Sequence, residues 1–127
     1  MRVPVQPLND DFASHPVPDT WREEFCAIVR ALVEGNYRLV GLPENIEPIS
    51  LDSASQIEGY IAEYGVTLVE LPAQTWDTSC AQWMGSHWDV LVDLWSAEEG
   101  RSDLVLGAAV RESGLAYRFE VRLVYVP

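Results

Sequence analysis

Charged side chains are densest between residues 93 and 103, around the stretch "WSAEEGRSDLVL". They are Asp93, Glu98, Glu99, Arg101 and Asp103. If two or more of the carboxylates converged on one cavity, they could bind a metal ion or act as general acid and base. The other interpretation is a hairpin turn, in which Gly100 supplies a positive φ and Arg101 pairs with Asp103 or Glu98. Because exposed ion pairs are common in folded proteins, we favour the turn.

Residues able to act as nucleophiles, bases or metal ligands elsewhere in the chain form no motif. The two histidines, His15 and His87, lie far apart, and Ser86 has no GxSxG context. The sequence contains no HExxH and no glycine-rich phosphate loop. Cys26 and Cys80 match no zinc spacing, so we expect two reduced thiols. We therefore predict no catalytic residue, no metal site and no cofactor.

The net charge restricts the class of partner. Twenty acidic residues against eight arginines, with no lysine, give a net charge of −12. Such a surface repels nucleic acid and anionic membranes and attracts a basic protein. A purely solubilising role for the charge is the alternative.

The charge is also unevenly distributed. Residues 39–100 contain no Arg or Lys, whereas all eight arginines lie outside this span. Its eleven acids are Glu44, Glu47, Asp52, Glu58, Glu63, Glu70, Asp77, Asp89, Asp93, Glu98 and Glu99. Acids without local counterions repel one another, which favours a surface whose cations come from a partner.

The chain is long enough for one domain. Residues 1–18, which contain four prolines, are expected to form an arm that wraps the domain or stays mobile. Residues 19–127 are expected to form the domain. The sequence shows neither a signal peptide nor a membrane span, so we expect a cytoplasmic protein that is a monomer or a weak dimer.

Apolar periodicity predicts two helices. The first covers "DTWREEFCAIVRALVEGN", with a capping box formed by Thr20 and Glu23 and a stop at Gly35. Its apolar stripe is Trp21, Phe25, Ile28 and Leu32. The second covers "LDSASQIEGYIAEYG", is capped by Asp52 or Ser53, and ends at Gly65. Its predicted buried stripe is Ile57, Tyr60, Ile61 and Tyr64.

After residue 65 the period changes from 3.6 to 2, which indicates strands. They are "VTLVELP", "TWDTSCAQWM", "HWDVLVDLW", "SDLVLGAAVRE" and "AYRFEVRLVYV". In the last strand, apolar residues from Tyr117 to Tyr125 alternate strictly with charged ones. Short connections imply antiparallel neighbours. We therefore predict an α+β fold, with two N-terminal helices on one face of a four- to five-stranded antiparallel meander sheet.

The strand at residues 88–95 divides its side chains between two faces. The expected core face is Trp88, Val90, Val92 and Leu94, and the opposite face is Asp89, Leu91, Asp93 and Trp95. On that opposite face we expect Asp93 to pair with Arg111 or Arg122. Trp95 leaves the core, so either the N-terminal arm covers it or it contacts a partner within a ring of acids.

The stretches "WDVLVDLWSAEEGRSDLVL" and "YRFEVRLVYV" resemble a family of small bacterial domains of unknown function. The shared pattern is an aromatic residue, a V-D-L strand, E-G-R-S-D-L and a closing strand. It maps onto Asp93, Leu94, Glu99, Gly100, Arg101, Ser102, Asp103 and Leu104. The resemblance implies one domain containing this hairpin and brings no activity. In its acidity and lack of a catalytic motif, the chain is also similar to bacterial immunity proteins that neutralise secreted toxins.

These features favour an immunity- or antitoxin-like inhibitor that occludes a basic toxin domain, such as a nuclease. The predicted contact residues are Glu58, Glu63, Asp77, Asp89, Leu91, Asp93, Trp95, Glu98, Glu99 and Asp103. The alternative is an enzyme or small-molecule-binding protein with a cone-shaped α+β fold, in which Asp93, His87 or Tyr117 points into an interior pocket. A third possibility is a structural subunit with a flat apolar patch that forms a homodimer.

Overall fold

A computed structural model describes residues 6–10 and 13–127. The helices are α1 (Asp19–Val33), α2 (Leu51–Tyr64) and a short 3₁₀ helix (Ala73–Asp77). The strands are β1 (Ser14–Pro16), β2 (Leu68–Val69), β3 (Cys80–Trp83), β4 (Trp88–Ser96), β5 (Gly100–Ser113) and β6 (Ala116–Tyr125). Within the described residues, no helix combines the length and apolar character needed to cross a bilayer.

The strands form one six-stranded antiparallel sheet in the order β1-β3-β4-β5-β6, with β2 paired to β4 off this path. Strands β3 to β6 follow one another as a meander, which confirms the predicted α+β architecture. The sheet gains a strand that the sequence pattern did not predict, because β1 pairs with β3. Ile46 adds an isolated parallel bridge to Phe119 on the far side of β6.

The core lies between the two helices and one face of the sheet. Trp21 of α1 is fully buried, and its ring packs edge-to-face on Trp88, Tyr117 and Phe119 at centroid distances of 5.1, 5.2 and 6.3 Å. Phe25 packs on Phe119 in the same way at 5.5 Å. Each such pair contributes about 0.5–1.5 kcal/mol beyond simple burial, so this aromatic cluster fixes α1 across the sheet.

The described part of the N-terminal arm packs against the domain. Residues 14–16 form β1, Val17 is fully buried, and the Trp88 indole Nε1 donates to the carbonyl of Leu8 at 2.9 Å. The arm therefore extends the sheet edge and covers part of the core. Residues 1–5 and 11–12 of the predicted arm lie outside the described residues.

The helix ends differ in detail from the sequence predictions. The predicted capping box at Thr20 and Glu23 is wrong, because Pro18 occupies the N-cap and no side chain caps α1. Ser50, rather than Asp52 or Ser53, caps α2, since its hydroxyl accepts from the Ser53 amide at 3.2 Å. The α2 stripe also needs correction at Tyr60, which is 51% exposed while Ile57 and Ile61 are buried.

The segment predicted as one strand over residues 75–84 divides into two elements. The 3₁₀ helix occupies its first part, and β3 begins only at Cys80. Thr75 is fully buried, and its hydroxyl donates to the carbonyl of Asp93 at 2.6 Å. A tertiary hydrogen bond of this kind overrides the local preference for an extended chain.

Strand β4 alternates as predicted, whereas β6 does not. Trp88, Val90, Val92 and Leu94 are buried in the core. In β6, however, the register shifts opposite Gly107 and Ala108, which pair with Leu123 and Val121. Strand β6 therefore contains one extra residue at this point. The side chains that follow it lie on the opposite faces from those that strict alternation predicts. Val124 becomes buried, and Leu123 is 43% exposed.

Alanine substitutions at Gly59 and Gly65 test the backbone conformation of α2 and of its C-terminal end. A Cβ added to Gly59 would meet no atom within 4 Å, so Gly59→Ala should raise the free energy of unfolding by about 0.5–1 kcal/mol. Gly65 ends the helix with φ 85°, so Gly65→Ala should lower it by about 1–2 kcal/mol. Urea unfolding of both variants measures these changes, and effects of the same sign would contradict the assigned backbone.

Candidate functional site

The charged region at 93–103 is built on a hairpin turn, as the sequence suggested. Ser96 pairs with Gly100, which has φ 74°, and the Ser96 hydroxyl accepts from the Glu99 amide at 3.0 Å. The predicted pairing of Arg101 with Glu98 or Asp103 is wrong, because Arg101 makes no ion pair within the described part of the chain. The two glutamates have other partners.

Glu98 fastens the turn to the segment that follows α2. Its carboxylate accepts from the Thr67 amide at 2.8 Å and from the Thr67 hydroxyl at 3.0 Å. These hydrogen bonds favour the ionised form and hold the pKa of Glu98 below its usual value. Glu98 therefore has a structural role in the fold.

Glu99 and Asp103 share a contact with Tyr64 at the end of α2. The Tyr64 hydroxyl donates to Glu99 at 2.8 Å and accepts from the Asp103 amide at 3.1 Å. The Asp103 amide lowers the pKa of Tyr64, but hydrogen bonding to the Glu99 carboxylate and burial raise it, and the net direction is upward. The turn is thus joined to the end of α2 through Tyr64 and to the segment after α2 through Thr67.

Asp93 is held by hydroxyl groups rather than by an arginine. Thr78 donates to its carboxylate, Thr75 donates to its carbonyl, and its amide donates to Ser79 at 3.0 Å. The expected ion pair with Arg111 or Arg122 is wrong, because both arginines pair with Glu120, at 3.6 and 3.3 Å. A register shift between Asp93 and Trp95 accompanies this docking of the 3₁₀ helix.

Trp95 lies outside the core cluster, as predicted, but it is only partly exposed. It pairs across the sheet with Arg101 and with Val69 of β2. Its indole Nε1 is buried without a hydrogen-bond partner among the described atoms. The structure therefore does not present Trp95 as an exposed aromatic surrounded by acids.

Asp89 and Leu91 lie on the sheet face opposite the core, where both are partly buried and line a shallow depression of about 170 Å³. Within the described part of the chain Asp89 pairs with no arginine, and its carboxylate contacts His87 Nε2 at 3.0 Å. His87 Nδ1 contacts the Ser86 hydroxyl at 2.9 Å, which completes a Ser-His-Asp chain within one hairpin. Asp89 lines this depression, whereas Ser86 and His87 line none of the cavities described in this section.

A larger concave surface follows the edge of the sheet and was not predicted. The α2–β6 groove, about 490 Å³ in volume, is bounded by Gly59, Tyr60 and Glu63 on α2 and by residues 122–125 on β6. A second depression of about 270 Å³ continues it past Tyr60 and Glu63 to Val126. A third, of about 500 Å³, runs from Val126 to Asp103 and Asp93. Glu63, Asp93 and Asp103 thus lie along one connected surface.

One feature of the sequence signals this groove. Gly59 lies in the interior of α2, at a cost of about 1 kcal/mol relative to alanine. It also leaves open space in front of its Cα. Leu123 and Tyr125 reach the groove only because β6 contains an extra residue, which the strict alternation of the sequence conceals.

The acids of the arginine-free span divide into two groups. Six have side-chain partners: Glu47, Glu70, Asp89, Asp93, Glu98 and Glu99. The other five are exposed, and their carboxylates have no ion pair or hydrogen bond with any described residue. They are Glu44, Asp52, Glu58, Glu63 and Asp77. The carboxylates without partners therefore lie on α2, in the segment that precedes α2 and on the 3₁₀ helix.

The fold defines a small α+β domain. A family model, described as Domain of unknown function (DUF7668), matches residues 29–127. The chain belongs to this family. Comparison with curated proteins and with solved structures gave no match.

The hydrogen bonds of Glu98 predict a specific pH dependence. Because folding lowers the pKa of Glu98, its interaction stabilises the protein above the unfolded value of about 4.3 and is lost as the pH falls through the lower folded value. Glu98→Gln should therefore lower the urea midpoint at pH 7 and lose this effect in acid. Thr67→Val keeps the amide donor and should show a smaller effect. A loss for Glu98→Gln that is independent of pH would contradict the assignment.

The buried hydroxyl of Thr75 predicts a loss of stability. Thr75→Val preserves the side-chain shape but leaves the Asp93 carbonyl without its donor, so the free energy of unfolding should fall by about 1–3 kcal/mol. Thr20→Val, at an exposed position, should change it by less than about 0.5 kcal/mol. Equal losses of stability for the two variants in thermal unfolding would show that the hydrogen bond from Thr75 to Asp93 does not stabilise the fold.

Proposed function

We propose that this protein is an immunity- or antitoxin-like inhibitor that binds a basic toxin domain, such as a nuclease, and occludes it. The observation that carries the proposal is the group of five exposed carboxylates without partners among the described residues. A protein that uses acids only for solubility can intersperse them with arginines, whereas residues 39–100 contain none. A cationic partner would remove the mutual repulsion on binding.

The position of these acids supports attraction at long range. Glu58 and Glu63 project from α2, and Asp77 ends the 3₁₀ helix. Exposed like charges sum to a field that increases the rate of encounter with an opposite charge, most strongly at low ionic strength. Of the predicted contact residues, these three and Asp103 have carboxylates that form no ion pair and accept no hydrogen bond among the described residues.

Apolar side chains beside the same acids supply the short-range part of the proposed interface. Tyr60 is 51% exposed, Leu123 43% and Val126 47%. All three border the groove or its continuation next to Glu63. Exposed apolar side chains rimmed by charge are typical of protein-binding surfaces. In our proposal they take the role that the sequence suggested for Trp95.

The enzyme or small-molecule alternative expected Asp93, His87 or Tyr117 to point into an interior pocket. Asp93 lines an open depression at the sheet end, His87 lies in the β3–β4 turn, and Tyr117 packs on the aromatic core. Neither His87 nor Tyr117 lines any of the described cavities. This separation gives the binding function more support than a catalytic one.

A charge-neutralised variant tests the proposed attraction. The triple variant Glu58→Gln, Glu63→Gln, Asp77→Asn should bind the basic partner about tenfold more slowly at low salt, with a flatter salt dependence. The matched control is Glu23→Gln, Glu34→Gln, Glu112→Gln, which removes three exposed carboxylates outside the arginine-free span. Stopped-flow association rates measure both. Equal slowing by the two variants would indicate net charge alone rather than this surface.

The partner itself is tested by calorimetric titration with the protein encoded by the adjacent upstream gene, at two salt concentrations. Our proposal expects one-to-one binding that weakens at the higher salt concentration. The absence of binding to that protein in its folded form would contradict the proposed pairing.

A further inference from the structure

Strand β6 is the edge of the sheet, and its outer side is only partly paired. The Phe119 amide donates to the Asn45 carbonyl at 2.8 Å, and the Phe119 carbonyl accepts from the Glu47 amide at 2.8 Å. Pairing then stops, because the Ile49 amide, which would be the next donor to β6, donates to the Arg38 carbonyl instead. The segment at residues 45–47 therefore pairs with the β6 edge at Phe119. Beyond Phe119 this segment turns away and no longer pairs with the edge.

The α2–β6 groove begins where this pairing ends. Residues 122–125 form one wall, and Gln56, Gly59 and Tyr60 of α2 form the other. Within the described residues, no segment pairs with this side of β6 after Phe119. An edge strand beside a helix is the arrangement in which an extended peptide can add to a sheet, because the backbone supplies hydrogen bonds and the helix contacts alternate side chains.

We propose that an extended segment of the basic partner adds to the β6 edge beyond Phe119 and lies in the α2–β6 groove. This inference rests on the proposed function for the charge of the partner. Gly59 lets a backbone or side chain approach α2, since nothing lies within 4 Å of the position of its Cβ. The leucine, tyrosine and valine side chains at residues 123–126 contact the apolar positions of the added segment.

Charge selects a basic segment rather than a second copy of this chain. Glu63 lines the groove, and Asp52 and Glu58 lie on the same helix without partners among the described residues. Arg122, the cation of the groove, is paired with Glu120. A net charge of −12 on each copy opposes self-association, whereas arginine and lysine side chains on an added strand would reach the acids of α2.

The test uses three synthetic decapeptides: alternating valine and arginine, the same sequence with all backbone amides N-methylated, and alternating valine and glutamate. We expect the first to shift the amide resonances of residues 121–126 and 56–63 and to slow hydrogen exchange in β6. The N-methylated peptide keeps the charge but lacks the backbone donors, so its affinity should be lower by about tenfold or more. The glutamate peptide should not bind.

Two variants separate the groove from general charge. Gly59→Arg fills the groove and adds one positive charge, whereas Ala62→Arg adds the same charge at an exposed α2 position that lines none of the described cavities. We expect only Gly59→Arg to abolish binding of the arginine peptide. Equal affinity for the N-methylated peptide, resonance shifts away from the groove, or no binding by any peptide would overturn strand addition.

These outcomes are distinct from failure of the proposed function. Binding that depends on charge but tolerates N-methylation would overturn strand addition and leave an acidic inhibitor surface. Groove binding of the arginine peptide, combined with no titration by the folded neighbouring protein, would support strand addition and contradict the proposed toxin pairing.

Discussion

One face of the sheet must bury its apolar side chains against two helices, and the register shift in β6 decides which side chains of that strand the face contains. A second shift, between Asp93 and Trp95, lies where the 3₁₀ helix makes its hydroxyl contacts with β4. The shift opposite Gly107 turns Leu123 and Tyr125 away from the core and brings Val124 into it. The Leu123 and Tyr125 side chains lie over Gly107, since a Cβ added there would be 3.4 Å from an atom of each. The groove beside β6 is therefore a consequence of how the sheet completes its core.

Much of the architecture followed from local periodicity. The apolar stripe of α1, the alternating faces of β4 and the stops at Gly35 and Gly65 depend on the spacing of neighbouring residues, and the structure confirms them. The hairpin at Gly100 is similarly local, since the turn requires a positive φ that glycine adopts readily. For such elements, the backbone preferences and side-chain types of residues close in sequence determine the local structure.

The errors arose where contacts distant in sequence decide the structure. Thr75 bonds to a carbonyl 18 residues away, and this replaces a predicted strand with a 3₁₀ helix. Glu98 and Glu99, which were predicted as partner contacts, also hydrogen-bond to Thr67 and Tyr64, and the sequence pattern did not indicate these long-range contacts. Glu58 and Glu63, which the sequence singled out as acids without a nearby arginine, are exposed. The exposure of Leu123 beside these acids could not be predicted, because the sequence does not reveal the extra residue in β6.

The central claim is that the acidic surface along α2 and the β6 edge receives a basic partner. Hydrogen exchange measured by mass spectrometry, with and without the protein encoded by the adjacent upstream gene, tests it most directly. We expect exchange to slow in residues 56–63 and 121–126 and to remain unchanged in β1 and β3 at the opposite sheet edge. Protection confined to β1 and β3, or no protection in a complex that forms, would contradict this account.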